Sequence, residues 1–403
     1  MNPKRILPHL VIAAFTGVVV AGVVVRQNVE RNWRSMLVTL EELRAERLGR
    51  PALRDALHGA TRDEQAWPHY ERALAVLASI DEARDRCLAA PRATSEEERA
   101  ERDALLAEAE AMFPHLARGA HARDARTAHA VDDGLPVKIQ RLFDVSSVCE
   151  LSVAHAIQRL ERGQDLDAVA ALLDAQQLAR DLAVSPVLIE EMIGLSQLVP
   201  TGMEEWLAAG GLNAMSTSSV GVWLDGLDAL RASLPSSSRA IVSEVEMFGR
   251  EVLRQSEATG RLDWDGALEG APLWRYGFSW RGAAADYVVR ATDLARQVER
   301  AFDDGPLEVV ARLEGLERIA GADQNPIYAV ATPKIASAGR ARIWQLARLD
   351  FLRHALALRL QRPTDLPEDP FGTGVRVEQD EDGIRVWAEA GRYTSDVSIE
   401  LGT

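Results

Sequence analysis

The chain has 403 residues, 47% hydrophobic and 27% charged, an ordinary balance for a folded protein large enough to bury a substantial core. Its formal net charge is −15, and no dense Lys/Arg stripe with interleaved aromatics offsets it. Nucleic acid and anionic lipid headgroups are therefore poor partners.

The first element in chain order is an apolar run, Ile6 to Val25, with no acidic or basic side chain apart from His9 near its start. About 20 residues at 1.5 Å rise match a ~30 Å hydrocarbon core, so the run reads as an N-terminal transmembrane helix, residues 1–26. A cleaved signal peptide is the competing reading, with Val19-Val20-Ala21 as its cleavage site, but the run is long for one. Lys4 and Arg5 precede it, while Arg26, Arg31 and Arg34 follow. The crowded positive tail favours a cytoplasmic N-terminus and an extracytoplasmic body at a bacterial inner membrane. Ala13, Gly17 and Ala21 form a small-xxx-small ladder of the kind that lets two helices approach as a homodimer. Val29, Trp33, Met36, Leu40 and Leu43 continue an a/d-like stripe, which either extends that dimer or packs on the chain's own body.

Residues 27–135 read as an N-terminal helical region. Its first helix stops at Gly49-Arg50-Pro51, a second spans Asp63 to Ala90, and a third, Glu96 to Phe113, opens on the capping box Ser95/Glu98 and stops at Pro114. The stretch His115 to Leu135 has little periodicity and reads as loop or exposed helix. Residues 136–362 read as a body of helical hairpins. Leu142, Val145, Cys149, Val153, Ile157 and Leu160 mark one apolar face; Gly163 breaks it; Leu166, Val169, Leu172, Leu173, Leu178 and Leu182 mark the next. A helix from Pro186 to Ala208 kinks at Pro200, and further helices follow at Thr217–Leu234, Ser237–Glu257, Gly282–Phe302, Leu307–Ile319 and Pro333–Gln361. The hairpin around Gly163 is TPR-like, without the strict 34-residue period. In residues 363–403 the pattern changes to alternation: Val375–Glu378 and Ile384–Trp387 flank Asp382-Gly383, and Val397–Leu401 follows, a small antiparallel β meander. Val375, Val377, Ile384 and Val386 offer it an apolar face, expected to dock on the Pro333–Gln361 helix.

Three stretches, Asp63 to Tyr70, Leu178 to Leu182, and Arg348 to Leu360 followed by Asp369-Pro370-Phe371-Gly372, resemble a group of uncharacterised bacterial membrane-anchored helical proteins. The Asp-Pro-Phe-Gly element and its strands are also similar to the C-terminal end of type II secretion pseudopilins. The prepilin cleavage motif is absent, and Trp387-Ala388-Glu389-Ala390-Gly391 departs from that pattern, so the resemblance implies a shared tail fold.

Chemistry-bearing residues are sparse. His115, His121 and His129, with Asp124, Asp132 and Asp133, lack the i, i+3 or i, i+4 spacing of a metal site. Asp380, Glu381, Asp382 and Gly383 do not follow a calcium loop and read as a charged hairpin turn. Glu190-Glu191 and Glu204-Glu205 are adjacent pairs pointing to different helix sides, whereas catalytic carboxylates converge across a cleft. Ser236-Ser237-Ser238 reads as a helix cap, and no phosphate loop is present. Cys87 and Cys149, the only cysteines, lie on apolar faces, as buried thiols or as one bridge in an oxidising compartment. Trp264, Trp274, Tyr276, Phe278 and Trp280 are the densest aromatic cluster in a chain that is 5% aromatic, a partner-binding platform or a loop stapled to the core.

These features together point to a single-pass envelope scaffold that binds another envelope protein, with no cofactor and no metal. An envelope hydrolase acting on glycan or peptide, and an accessory part of a secretion or pilus machine, are the alternatives.

Overall fold

The computed structural model describes residues 3–48, 62–125, 142–185, 187–235, 239–258, 280–302, 306–322, 326–369, 372–381, 383–389 and 397–402. It is mainly helical. The helices are α1 Pro3–Leu48, α2 Trp67–Leu77, α3 Ala83–Ala89, α4 Glu96–Glu108, α5 Met112–Ala120, α6 Leu142–Glu161, α7 Asp165–Ala183, α8 Leu188–Gln197 and α9 Thr201–Ala208. After them come α10 Thr217–Ser233, α11 Arg239–Ala258, α12 Trp280–Ala301, α13 Pro306–Ala322 and α14 Pro326–Arg359. Two short strands, β1 Arg62–Gln65 and β2 Ala122–Asp124, pair in parallel, and β3 Arg376–Gln379, β4 Gly383–Ala388 and β5 Val397–Gly402 form an antiparallel sheet in that order.

Local chemistry explains most boundaries. Ser95 Oγ accepts the Glu98 amide at 3.2 Å while Glu98 Oε2 accepts the Ser95 amide at 2.9 Å, closing the expected capping box at the head of α4. Gly163, at φ +70°, turns α6 into α7. The expected helix Asp63 to Ala90 is instead β1, α2 and α3. Ser79 Oγ bonds back to the Val76 carbonyl at 2.6 Å, and Glu82 adopts a left-handed φ of 53°, so α2 ends in an apolar stretch that hides the break. Pro114 does not stop a helix either; it sits in the first turn of α5, where its missing N–H costs nothing. At Pro200 the expected kink is a full break between α8 and α9.

Two hydrophobic cores organise the body. The first gathers α2 to α10, the C-terminal half of α14 and the sheet residues Ile384, Val386, Ala388, Ile399 and Leu401. The second gathers Met36, Leu40 and Leu43 of α1 with α11, α12, α13 and Ile343 of α14. Residues of 27–135 and 136–362 therefore share both cores, so those sequence blocks are not separate packing units. On α14 the packing passes from the second core at Ile343 to the first at Leu346. Arg342, 1% exposed, bonds Glu191 through Nη1 and the Pro235 carbonyl through Nη2, which offsets part of the cost that burial puts on a guanidinium.

The stripe after the apolar run is consumed internally. Met36, Leu40 and Leu43 are buried against α11 and α12, so that part of α1 packs on its own body and does not form the seam of a dimer. Among the described residues no helix is long and apolar enough to cross a membrane. The side chains of Ile6 to Gly22, including Ala13, Gly17 and Ala21, lie outside the described residues. From Val23 onward α1 carries Arg26, Glu30, Arg31 and Arg34, which rule out a spanning window there. The transmembrane reading thus gains no support from the fold.

The tail docks as expected on α14 and on α9, with Val386 and Leu401 inside the first core. β3 does not contribute: its residues are exposed on both faces, and Val377 points to solvent instead of completing an apolar face. Leu401→Ala should consequently cost about 2–5 kcal/mol and lower the urea midpoint of the entire body. Val377→Ala should change stability by less than about 0.5 kcal/mol. An unchanged midpoint for Leu401→Ala would show the sheet to be an independent appendage.

Candidate functional site

The quoted stretch Asp63 to Tyr70 folds into a compact polar knot. The Glu64 carboxylate takes Arg118 Nε at 3.2 Å and His69 Nε2 at 2.9 Å, and these two partners hold it below its ordinary pKa. Trp67 Nε1 donates to the Ala125 carbonyl at 3.1 Å, clamping α2 to the end of β2. Tyr70 is buried and donates its hydroxyl to Asp181 Oδ2 at 2.8 Å. Asp181, fully buried on α7, also accepts Gln177 Nε2 at 2.9 Å and Arg180 Nη1 at 3.2 Å. Arg180 in turn reaches Ser233 Oγ at 2.9 Å and the Ser233 carbonyl at 3.1 Å. Two of the stretches singled out in the sequence thus meet at one carboxylate and tie α2, α7 and α10 together.

A cleft of about 640 Å³ lies between α4, α5, α6 and α7. Leu106, Phe113, Ala170 and Ala171 give it an apolar floor, and Asp103, Arg159, Arg162 and Asp167 line its polar side. Phe113 stacks on His155 with ring centroids 4.0 Å apart and planes 18° from parallel. Arg159 Nε–H donates to His155 Nε2 at 3.2 Å, so that nitrogen is the acceptor and the neutral ring carries its proton on Nδ1. Burial, then the neighbouring Arg159 and Arg162, push the imidazole pKa down to about 4. At neutral pH His155 is therefore an uncharged stacking partner, not a cation.

On the other side of α6, Glu150 accepts the Gly202 amide at 3.0 Å and caps α9 from a distance in sequence. Desolvation outweighs the amide bonds and raises its pKa to about 7. Gly202 is required for this close approach, since a Cβ there would collide with the carboxylate and Pro91.

The remaining sequence candidates separate. Glu191 bonds Arg342 while Glu190 accepts Ser185 Oγ; Glu204 pairs with Arg348 and Glu205 with Arg92, so neither adjacent pair converges on a common point. His115 lies within α5 and His121 caps its C-terminal end, where it approaches Asp174 at 3.8 Å. His129, Asp132 and Asp133 lie outside the described residues, among which no group of three or more metal-ligating side chains occurs. Cys87 and Cys149 are free buried thiols, and burial raises both pKa values, that of Cys87 to about 12. Asp380 Oδ1 accepts the Gly383 amide at 3.1 Å, consistent with a hairpin turn. Ser236, Ser237 and Ser238 lie outside the described residues. So do Trp264, Trp274, Tyr276 and Phe278. Trp280, at the head of α12, is half-buried and packs against the second core.

The cleft was missed in the sequence, though a signal existed. His155, Arg159 and Arg162 fall at i, i+4 and i+7, one helical face with polar character among otherwise buried positions. No family model matches the chain, and no curated protein or solved structure matches it either.

Two predictions follow from this geometry. A Cβ at Gly119 would collide with the Tyr70 ring, so Gly119→Ala should cost about 1–3 kcal/mol. At Gly315, where nothing among the described residues lies within 4 Å, the same change inside α13 should stabilise by up to about 1 kcal/mol; equal urea midpoints for the two variants would contradict the packing described. The second concerns pH. His155, depressed from 6.5 to about 4, supplies stability present above pH 6.5 and lost as pH falls toward 4. Glu150, raised from 4.5 to about 7, favours the fold below pH 4.5 and loses that contribution as pH rises through 7. His155→Phe should make stability fall more steeply as pH rises between 4.5 and 6.5, and Glu150→Gln should make it rise over that range. Parallel pH profiles for both variants and the parent would refute the assignment.

Proposed function

We propose that this protein is a single-pass, membrane-tethered scaffold of the bacterial envelope whose helical body holds a segment of another envelope protein in the α4–α7 cleft. The cleft carries this reading. Its volume of about 640 Å³ falls in the range of sites that enclose a ligand or a few side chains. Its apolar floor and mixed-sign rim suit an amphipathic peptide segment, and His155, neutral and stacked, supplies surface instead of acid–base chemistry.

The tether rests on the apolar run Ile6 to Val25, which lies within the continuous backbone helix α1. Val23 and Val24, the first described side chains of that run, are about half exposed and unused by the body. Burial of Met36, Leu40 and Leu43 fixes the other half of α1 to α11 and α12, so the run would hold the body close to the bilayer. Pairing of two anchors through Ala13, Gly17 and Ala21 remains part of the proposal.

The test is site-specific photocrosslinking in cells. A photoreactive residue at Ala171 or Pro114 should give a discrete adduct with one envelope protein, and Ala171→Glu should abolish capture from Pro114 with an unchanged melting temperature. The same probe at Glu378, on the exposed strand β3, should give none. Equal labelling at all three positions would overturn the cleft as the docking surface.

A further inference from the structure

Just beyond the apolar run the charge balance of the molecule reverses locally. Arg26, Arg31 and Arg34 are exposed on α1; at 100° per residue they span about 140° of its circumference, with Arg31 and Arg34 about 60° apart on the side away from the stripe that docks on α12. A fourth guanidinium reaches the same length of α1: Arg281, in the first turn of α12, lies 4.1 Å from the centroid of the ring of Trp33, the residue before Arg34. Trp33 and Trp280 pack half-buried against the second core, so two indoles accompany the four cations. The one acidic residue between Val23 and Leu40 is Glu30, which is bonded to Arg26 at 3.1 Å. The next carboxylates along α1, Glu41 and Glu42, come about 24 Å beyond Val25 at 1.5 Å per residue, more than two Debye lengths at physiological salt.

Direction matters as much as charge. Side chains on a helix lean toward its N-terminus, here toward the apolar run. Arg31 shows this directly, donating Nη2 to Asn28 Oδ1 at 2.9 Å, three residues nearer that run. With Val25 at the hydrocarbon edge, Arg26 and Arg31 stand roughly 2 and 9 Å beyond it, the depth of the headgroup layer and its immediate surface.

We infer that Arg26, Arg31, Arg34 and Arg281 form a collar that binds the phosphates of anionic phospholipids, with Trp33 and Trp280 seated beside it at the membrane interface. The inference rests on the anchor proposed above. It also qualifies what the net charge of −15 implies: passing along α1 from the apolar run, lipid phosphate meets Arg26 before any carboxylate.

Lipid selectivity of the full chain, reconstituted in phosphatidylcholine vesicles, tests the collar. Trace spin-labelled phosphatidylglycerol or phosphatidylcholine reports the motionally restricted lipid around the anchor. Phosphatidylglycerol should associate about fivefold more strongly, the effect of one engaged Arg or Lys near a membrane surface. The preference should vanish at about 1 M salt and in the triple variant Arg26→Gln, Arg31→Gln, Arg34→Gln with its melting temperature unchanged. Restricted lipid with no preference between the two labels, or a preference that survives in the variant, would overturn the collar and leave the anchor standing. No restricted component with either label would overturn both.

Discussion

Asp181 is a carboxylate with no access to water, and a buried charge costs several kcal/mol unless donors replace its solvation. The fold meets that demand by bringing Tyr70 from α2 onto α7, beside Gln177 and Arg180 of α7 itself. Satisfying this one group fixes a contact between positions 111 residues apart and leaves few alternatives for the N-terminal helices. Gly119 follows from it, because only a residue without a side chain lets α5 lie across the Tyr70 ring. Arg180 extends the same network to Ser233 at the end of α10.

The cleft is a consequence of that arrangement. Once α5 is held beside α7, Phe113 is delivered onto His155, and the space between α4, α5, α6 and α7 is bounded. Arg102, almost fully buried on α4, closes the rear by donating Nη1 to Glu161 of α6 at 3.1 Å. Elsewhere Glu150 caps α9 and Glu191 neutralises Arg342. The recognition role we propose rests on this bounded surface and on the neutral, stacked His155 within it.

Periodicity and capping made the helices legible: Ser95 with Glu98, Gly163, and the Leu/Val stripes of α6 and α7 all operate within one or two turns. The three-stranded tail was legible for the same reason, since alternation and an Asp-Gly turn are local. What stayed hidden is non-local. Nothing within Asp63 to Tyr70 says that Tyr70 seeks a carboxylate on α7, and nothing near Ile80 announces the break between α2 and α3, because the apolar pattern runs through it. Val377 was assigned to the core by its alternation, yet β3 is an edge strand lying off the body, and burial there depends on where α14 ends. The cleft combines both limits: the face of His155 and Arg159 is readable on α6, with Arg162 just past its end, while its partner Phe113 comes from a helix whose start the sequence hid behind Pro114.

The central claim is that Tyr70 and Asp181 act as one coupled latch joining the N-terminal helices to the hairpin body. A double-mutant cycle with Tyr70→Phe and Asp181→Asn, read by urea unfolding, measures that coupling without relying on any function. The account predicts an interaction energy of about 1–3 kcal/mol and a single cooperative transition in every variant. Additive single effects, within about 0.3 kcal/mol, would contradict it.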